Sequence, residues 1–295
     1  MILAQILLAA LTAMTLFFPN LGAEQNSPVP FLIVIGLTEV LYLHASIKRK
    51  NRSAADITCI AAGILIVWEL CTKTGLAHPV LVPSPENVFY VFYAYAPDML
   101  LNLYSSMKLL FISIGLAMLL GIFGGLFVGY VKRLRETILP IARVLSAIPP
   151  LVYTPYVVAV MPNFYSASIF VIFSAVFWPG FMGMMARVGS VDKRIIESAR
   201  AMNLSSFSMI MKVILPYSMP DVIGRLSTSL TAAMLCLTGA EMLGASAGLG
   251  YFVKKYADYA DYTKVIAGII WIGVVTTILN AMVSALQRRV IRWNY

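Results

Sequence analysis

What most constrains this chain is a series of long apolar stretches with no charge near their centres. A hydrocarbon layer of ~30 Å needs about 20 mostly apolar residues per helical crossing, and several segments meet that length. In lipid only helices and closed barrels satisfy every backbone polar group. These runs lack the alternation of barrel strands, so the sequence predicts an all-α, polytopic transmembrane helical bundle. Hydrophobic residues make up 60% of the chain and charged residues only 12%, a balance outside that of soluble domains. The expected crossings are 1–19, 31–47, 57–75, 109–131, 139–161, 168–187, 220–243 and 265–287.

Lys and Arg collect in loops retained on the cytoplasmic side. Lys48, Arg49, Lys50 and Arg52 follow the second stretch, Lys132, Arg133 and Arg135 the fourth, Arg187 to Lys212 the sixth, and Arg288, Arg289 and Arg292 the last. The opposite loops are poorer: 20–30 carries only Glu24, 162–167 carries no charge, and 244–264 balances Lys254, Lys255 and Lys264 against Asp258 and Asp261. Both termini are expected in the cytoplasm. The first stretch, ending near Leu21-Gly22-Ala23, competes with a cleaved signal peptide. The lack of a basic leader and the length of the apolar run favour a retained span. Segment 76–108 is expected outside, with Ser84 and Pro85 opening an amphipathic helix at the membrane interface.

The net charge of +9 follows from these loops and does not call for a nucleic-acid partner. Cys59, Cys71 and Cys236 lie in apolar stretches without ligand spacing and read as small core residues. There is no G-x-x-x-x-G-K-[ST], H-E-x-x-H, C-x-x-C or G-x-S-x-G, so no catalytic, cofactor-binding or metal-binding residue is nominated. ATP hydrolysis, where needed, must come from another subunit.

The most informative segment is the loop 188–219. Ile195 to Leu204 reads as a helix, Asn203, Ser205 and Ser206 as a break, and Phe207 to Leu215 as a second helix stopped by Pro216. Asn tolerates left-handed angles and either serine can cap the next helix. Leu204, Phe207, Ile210 and Met211 are expected on an exposed face, and apolar side chains on such an elbow imply a docking partner. An amphipathic hairpin lying on the membrane is the bland alternative.

This loop resembles the membrane subunits of bacterial binding-protein-dependent ABC importers, whose pattern is E-A-A, three residues, G, nine residues, I-x-L-P. Glu197, Ser198 and Ala199 stand at E-A-A, Asn203 at the Gly, Val213 at the Ile, and Leu215-Pro216 closes the pattern. Ser198, Asn203 and Val213 depart from it, but the spacing is intact. Trp68-Glu69, Leu81 to Pro85, Ile148-Pro149-Pro150, Ala240-Glu241 with Gly248 to Tyr251, and Gln287 to Trp293 are similar to the nitrate, sulfonate, taurine and bicarbonate branch. The resemblance implies a type I importer permease core at 57–295, with an extra transmembrane helix pair at 1–56. It also implies coupling of Glu197, Ala199, Asn203, Leu204, Phe207, Val213, Leu215 and Pro216 to ABC ATPase subunits that carry the ATP and Mg. A second permease copy, an extracytoplasmic substrate-binding protein and a bacterial inner-membrane location complete what it implies. The cargo would be a small oxyanion, sulfonate or vitamin-precursor-like solute.

Pro140, Pro149, Pro150 and Pro155 free carbonyls in the fifth stretch, which lipid tolerates only beside neighbours or a wet path. Pro149, Pro150, Tyr153 and Pro155 are therefore candidates for a translocation pathway, against a kinked packing helix. Glu241 is read either as lining that pathway or as an ion pair or cap near Gly244. Glu69 is expected in a structural pair with Lys73 or Lys108, and Gly115, Gly121, Gly124, Gly125 and Gly129 in close helix packing. Two rival readings are a secondary transporter driven by an ion gradient, for which no internal repeat is found, and a membrane enzyme or scaffold, for which no catalytic constellation is found.

Overall fold

The computed structural model describes residues 2–18, 26–49 and 52–290. Leu21-Gly22-Ala23, Glu24, Lys50 and Arg292 to Trp293 lie outside the described residues, as do the side chains of Lys48, Arg49 and Arg52. The described secondary structure is helical throughout: α1 (Ile2–Phe17), α2 (Val29–Arg49), α3 (Arg52–Lys73), α4 (Pro85–Ala94), α5 (Ala96–Tyr130), α6 (Lys132–Ala147), α7 (Pro150–Val160), α8 (Phe164–Gly189), α9 (Lys193–Ala201), α10 (Ser206–Met209), a π-helical turn Ile210–Ile214, α11 (Leu215–Gly224), α12 (Leu226–Gly244), α13 (Leu249–Asp258) and α14 (Tyr262–Val290).

Among the described residues, six helices are long and apolar enough to cross a membrane: α2, α3, α5, α8, α12 and α14. Three expectations change. The first stretch forms only a 16-residue helix. The fifth is a pair, α6 and α7, bent by 87°. The fourth begins at Ala96, so α5 takes in much of the segment expected to lie outside.

The chain divides into two compact units. The first comprises Met1–Leu101 with Phe252–Trp271. Its core has two parts. Leu8, Leu11, Phe31, Ile35 and Ala62 join α1, α2 and α3, while Val88, Val91, Met99, Phe252 and Ala267 form a cluster around α4. Ser84 and Pro85 open α4 where expected, with Pro85 in the first turn, where its missing N–H costs nothing, but the Ser84 side chain makes no capping hydrogen bond. Leu3, Ile6, Ile33, Leu37, Ile57 and Ile64 are each more than half exposed, the pattern of helix faces turned to lipid.

The second unit comprises Asn102–Tyr251 with Ile272–Tyr295. Here α5 lies against α8 through glycines. A Cβ on Gly125 would sit 2.6 Å from the Phe181 carbonyl oxygen and 2.8 Å from Met184 Cβ, so the two backbones can approach only without it. Gly129 is nearly as tight, a Cβ there coming within 3.0 Å of Val188 Cβ, whereas Gly121 and Gly124 face α8 more loosely, at 3.4 and 3.2 Å. A Cβ on Gly115 would meet nothing within 4 Å among the described residues, so the close packing expected there is not seen.

Candidate functional site

The elbow between α8 and α12 is a folded unit. Asp192 opens α9 by accepting the Arg194 N–H at 2.9 Å. The helix ends before Asn203, whose φ of 55° is the left-handed angle expected of it, and such angles favour Gly or Asn. Ser205 then caps α10, accepting the Ser208 N–H at 3.3 Å.

Beyond this point the expectation fails, because Pro216 does not end the helix. A regular turn would set the proline ring against the carbonyl four residues back. The chain instead widens into the π-helical turn Ile210–Ile214, in which the Leu215 N–H reaches the Ile210 carbonyl. Pro216 then falls in the first turn of α11.

Ala199, Met209, Ile210 and Ile214 bury into a cluster with Leu126, Met184, Val188 and Val191, and Leu204, Met211, Val213 and Leu215 pack partly against it. Ile210, expected to be exposed, is therefore core, and Leu204 and Met211 are half-buried. The free apolar surface is Phe207, 63% exposed, and Met202, 74% exposed. Glu197, Asn203 and Pro216 are exposed around them. Met202 was not singled out by sequence, although it directly precedes the turn.

Of the prolines in the fifth stretch, Pro149 makes the break. The residue before a proline avoids the helical region, and Ile148 and Pro149 are both extended, at ψ 114° and 129°. Pro150 starts α7, whereas Pro140 and Pro155 stay inside their helices. Pro149 and Pro155 are exposed, Pro150 and Tyr153 half-buried. Tyr153 packs against a cluster of Val157, Ala167, Val171 and Cys236. Leu151 of α7 lies over Gly239 of α12, where a Cβ would come within 2.4 Å of Leu151 Cδ2.

Glu241 does not share that surface. It is 1% exposed and serves as a cap, although on α13 and not near Gly244. Its Oε1 accepts the Ser106 hydroxyl at 2.5 Å and its Oε2 accepts the Gly250 N–H at 2.8 Å. The Leu249 N–H donates to Ser106 Oγ and the Gly248 N–H to Asn102 Oδ1, each at 2.8 Å. The opening amides of α13, which have no partners within their helix, are thus met by one carboxylate, one hydroxyl and one amide oxygen. The carboxylate also faces the positive end of the helix dipole. Gly248 adopts a φ of 140°, and a Cβ on Gly250 would stand 2.2 Å from the Thr238 carbonyl oxygen. Asn102 and Ser106 went unremarked in the sequence, but their spacing of four puts both on one face of α5.

Glu69, by contrast, has its expected cation. Lys73 Nζ lies 3.1 Å from Glu69 and 3.0 Å from Glu86, all three side chains no more than 5% exposed. Lys73 also donates to the Met14 carbonyl at 2.7 Å, and the Thr15 hydroxyl donates to Glu69 at 3.0 Å. Lys108 is elsewhere, over the Tyr165 ring.

Residues 117–292, more than half of the chain, match the binding-protein-dependent transport system inner membrane component, and the chain belongs to that family. It is 28% identical over 240 residues to the taurine transport system permease protein TauC of Escherichia coli, covering 79% of this chain and 87% of that one. It is 27% identical over 258 residues to the nitrate import permease protein NrtB of Leptolyngbya laminosa, covering 85% of this chain and 92% of that one. Among solved structures, an inward-facing MetNI methionine ABC transporter shares the fold, with a TM-score of 0.51 at 19% identity over 66% of this chain and 99% of that chain. The chain is a multi-pass permease subunit of an ABC importer, and the reading as a carrier driven by an ion gradient has no support.

Proposed function

We propose that two copies of this permease enclose a pathway for a small anionic solute of the oxyanion or sulfonate class, and that the elbow Glu197 to Pro216 docks on a separate ATPase carrying ATP and Mg. The observation that carries this reading is Phe207 and Met202, exposed beside a capped, left-handed turn on a packed core. Two large apolar side chains held on a rigid base suit insertion into a partner's groove. Relatives named for taurine and nitrate transport support the cargo class. A binding protein delivers that cargo from outside.

Pro149, Pro150, Tyr153 and Pro155 are assigned to the pathway, at the break where the backbone leaves helical geometry. Glu241 is assigned to the scaffold behind it. The six long helices and the bent pair supply up to seven crossings; the reading counts the shorter α1 as an eighth, and an even total puts both termini in the cytoplasm of a bacterial inner membrane. Closure of the ATPase pair moves the elbows as rigid levers and exchanges inward- and outward-open states. Affinity purification of the permease tests this: a P-loop ATPase co-purifies with the unaltered chain and is lost from the Phe207→Asp, Met202→Asp double variant. Undiminished ATPase in that variant would overturn the docking reading.

A further inference from the structure

At the root of the elbow a cleft of about 540 Å³ opens between α5, α8, α11 and α12, and neither the coupling nor the pathway reading uses it. Its charged lining is Arg187, Asp221 and Arg225, with Ser218, Thr228 and Ser229 among its hydroxyls. Arg187 is committed: its Nε lies 2.8 Å from Asp221 Oδ2 and its guanidinium stacks on Tyr217 at 4.9 Å. Arg225 has no carboxylate within ion-pair distance among the described residues. Its guanidinium lies over Gly183, where a Cβ would come within 3.1 Å of Nη1, so the bare glycine makes room for the cation along α8. The lining carries two positive charges and one negative, leaving one positive charge over. The Ser218 hydroxyl donates to the Ile214 carbonyl at 2.8 Å, which leaves the hydroxyls of Thr228 and Ser229 beside a planar guanidinium fork, a set that suits a tetrahedral or trigonal oxyanion.

We infer that this cleft binds a singly charged oxyanion group, held by Arg225 and the hydroxyls of Thr228 and Ser229 on α12. Such a group would fix the guanidinium of Arg225, which stands at the junction of α11 and α12 and lies over Gly183 of α8, and so would report its presence at the lever's base. The inference deepens the transport reading and rests on it for the nature of the cargo. ATPase co-purification tests that reading, whereas direct binding tests this site, so the two fail separately.

The experiment uses the full chain in nanodiscs of zwitterionic lipid, titrated calorimetrically with methanesulfonate and with its uncharged isostere dimethyl sulfone. A second set of discs contains phosphatidylglycerol, with retained lipid read by native mass spectrometry. Methanesulfonate should bind and dimethyl sulfone should not. Arg225→Gln should weaken binding by about tenfold or more, and Asp221→Asn, which removes the opposing charge, should strengthen it several-fold. The opposite directions separate a site from a folding defect. Phosphatidylglycerol retained in an Arg225-dependent way, with no methanesulfonate bound, would identify the oxyanion as a lipid headgroup. Absence of both, or variants that shift affinity in the same direction, would overturn the site.

Discussion

Each unit buries a polar network built on carboxylates, Glu69 with Glu86 in the first and Glu241 in the second, and the two networks neutralise them by opposite means. Glu69 meets a lysine, and because Glu86 shares that lysine the cluster holds two acids against one cation. Glu241 meets no cation in its network; neutral donors and the end of a helix satisfy it. Ion pairing depends on charge count, whereas capping depends on the direction of each donor. The first network should therefore respond to changes in charge and the second to changes in shape.

Removing the shared cation should have the largest effect. Lys73→Met leaves two buried carboxylates facing each other and should cost about 3–5 kcal/mol, read as a lower midpoint for denaturant unfolding in detergent. Next comes Gly250→Ala, whose methyl would collide with the Thr238 backbone and should cost about 1–3 kcal/mol. Glu241→Gln keeps acceptor geometry in part and should cost about 1–2 kcal/mol. Glu69→Gln should be smallest, within about 1 kcal/mol of the unaltered protein, because it leaves Lys73 balanced by Glu86 alone. A loss from Lys73→Met no larger than that from Glu241→Gln would erase the distinction between the two networks.

Those networks also explain what the sequence could reveal. Glu69 and Lys73 are four apart on one helix, so their pairing was legible from spacing. Glu86 joins them from another helix, and nothing local announces it. The start of α5 was missed because Asp98, Asn102, Ser106 and Lys108 made its first turns look too polar for a span. Asn102 and Ser106 are polar because they serve α13, a need set by tertiary structure. The elbow's turn was legible because Asn203 and Ser205 act locally. Its inner face was not, because burial of Ile210 depends on α5 and α8. The doubled proline at 149 and 150 signalled a bend, but only packing could fix it at 87°.

The wide turn at Ile210–Ile214 has a consequence for the elbow's phase. One extra residue in a helical screw advances everything downstream by about 100°. The apolar stripe before the turn and the one after it therefore obey different registers. Deleting a single residue there would restore an ordinary spiral while swinging Phe207 by that angle relative to α11. The elbow would keep its composition and lose its aim.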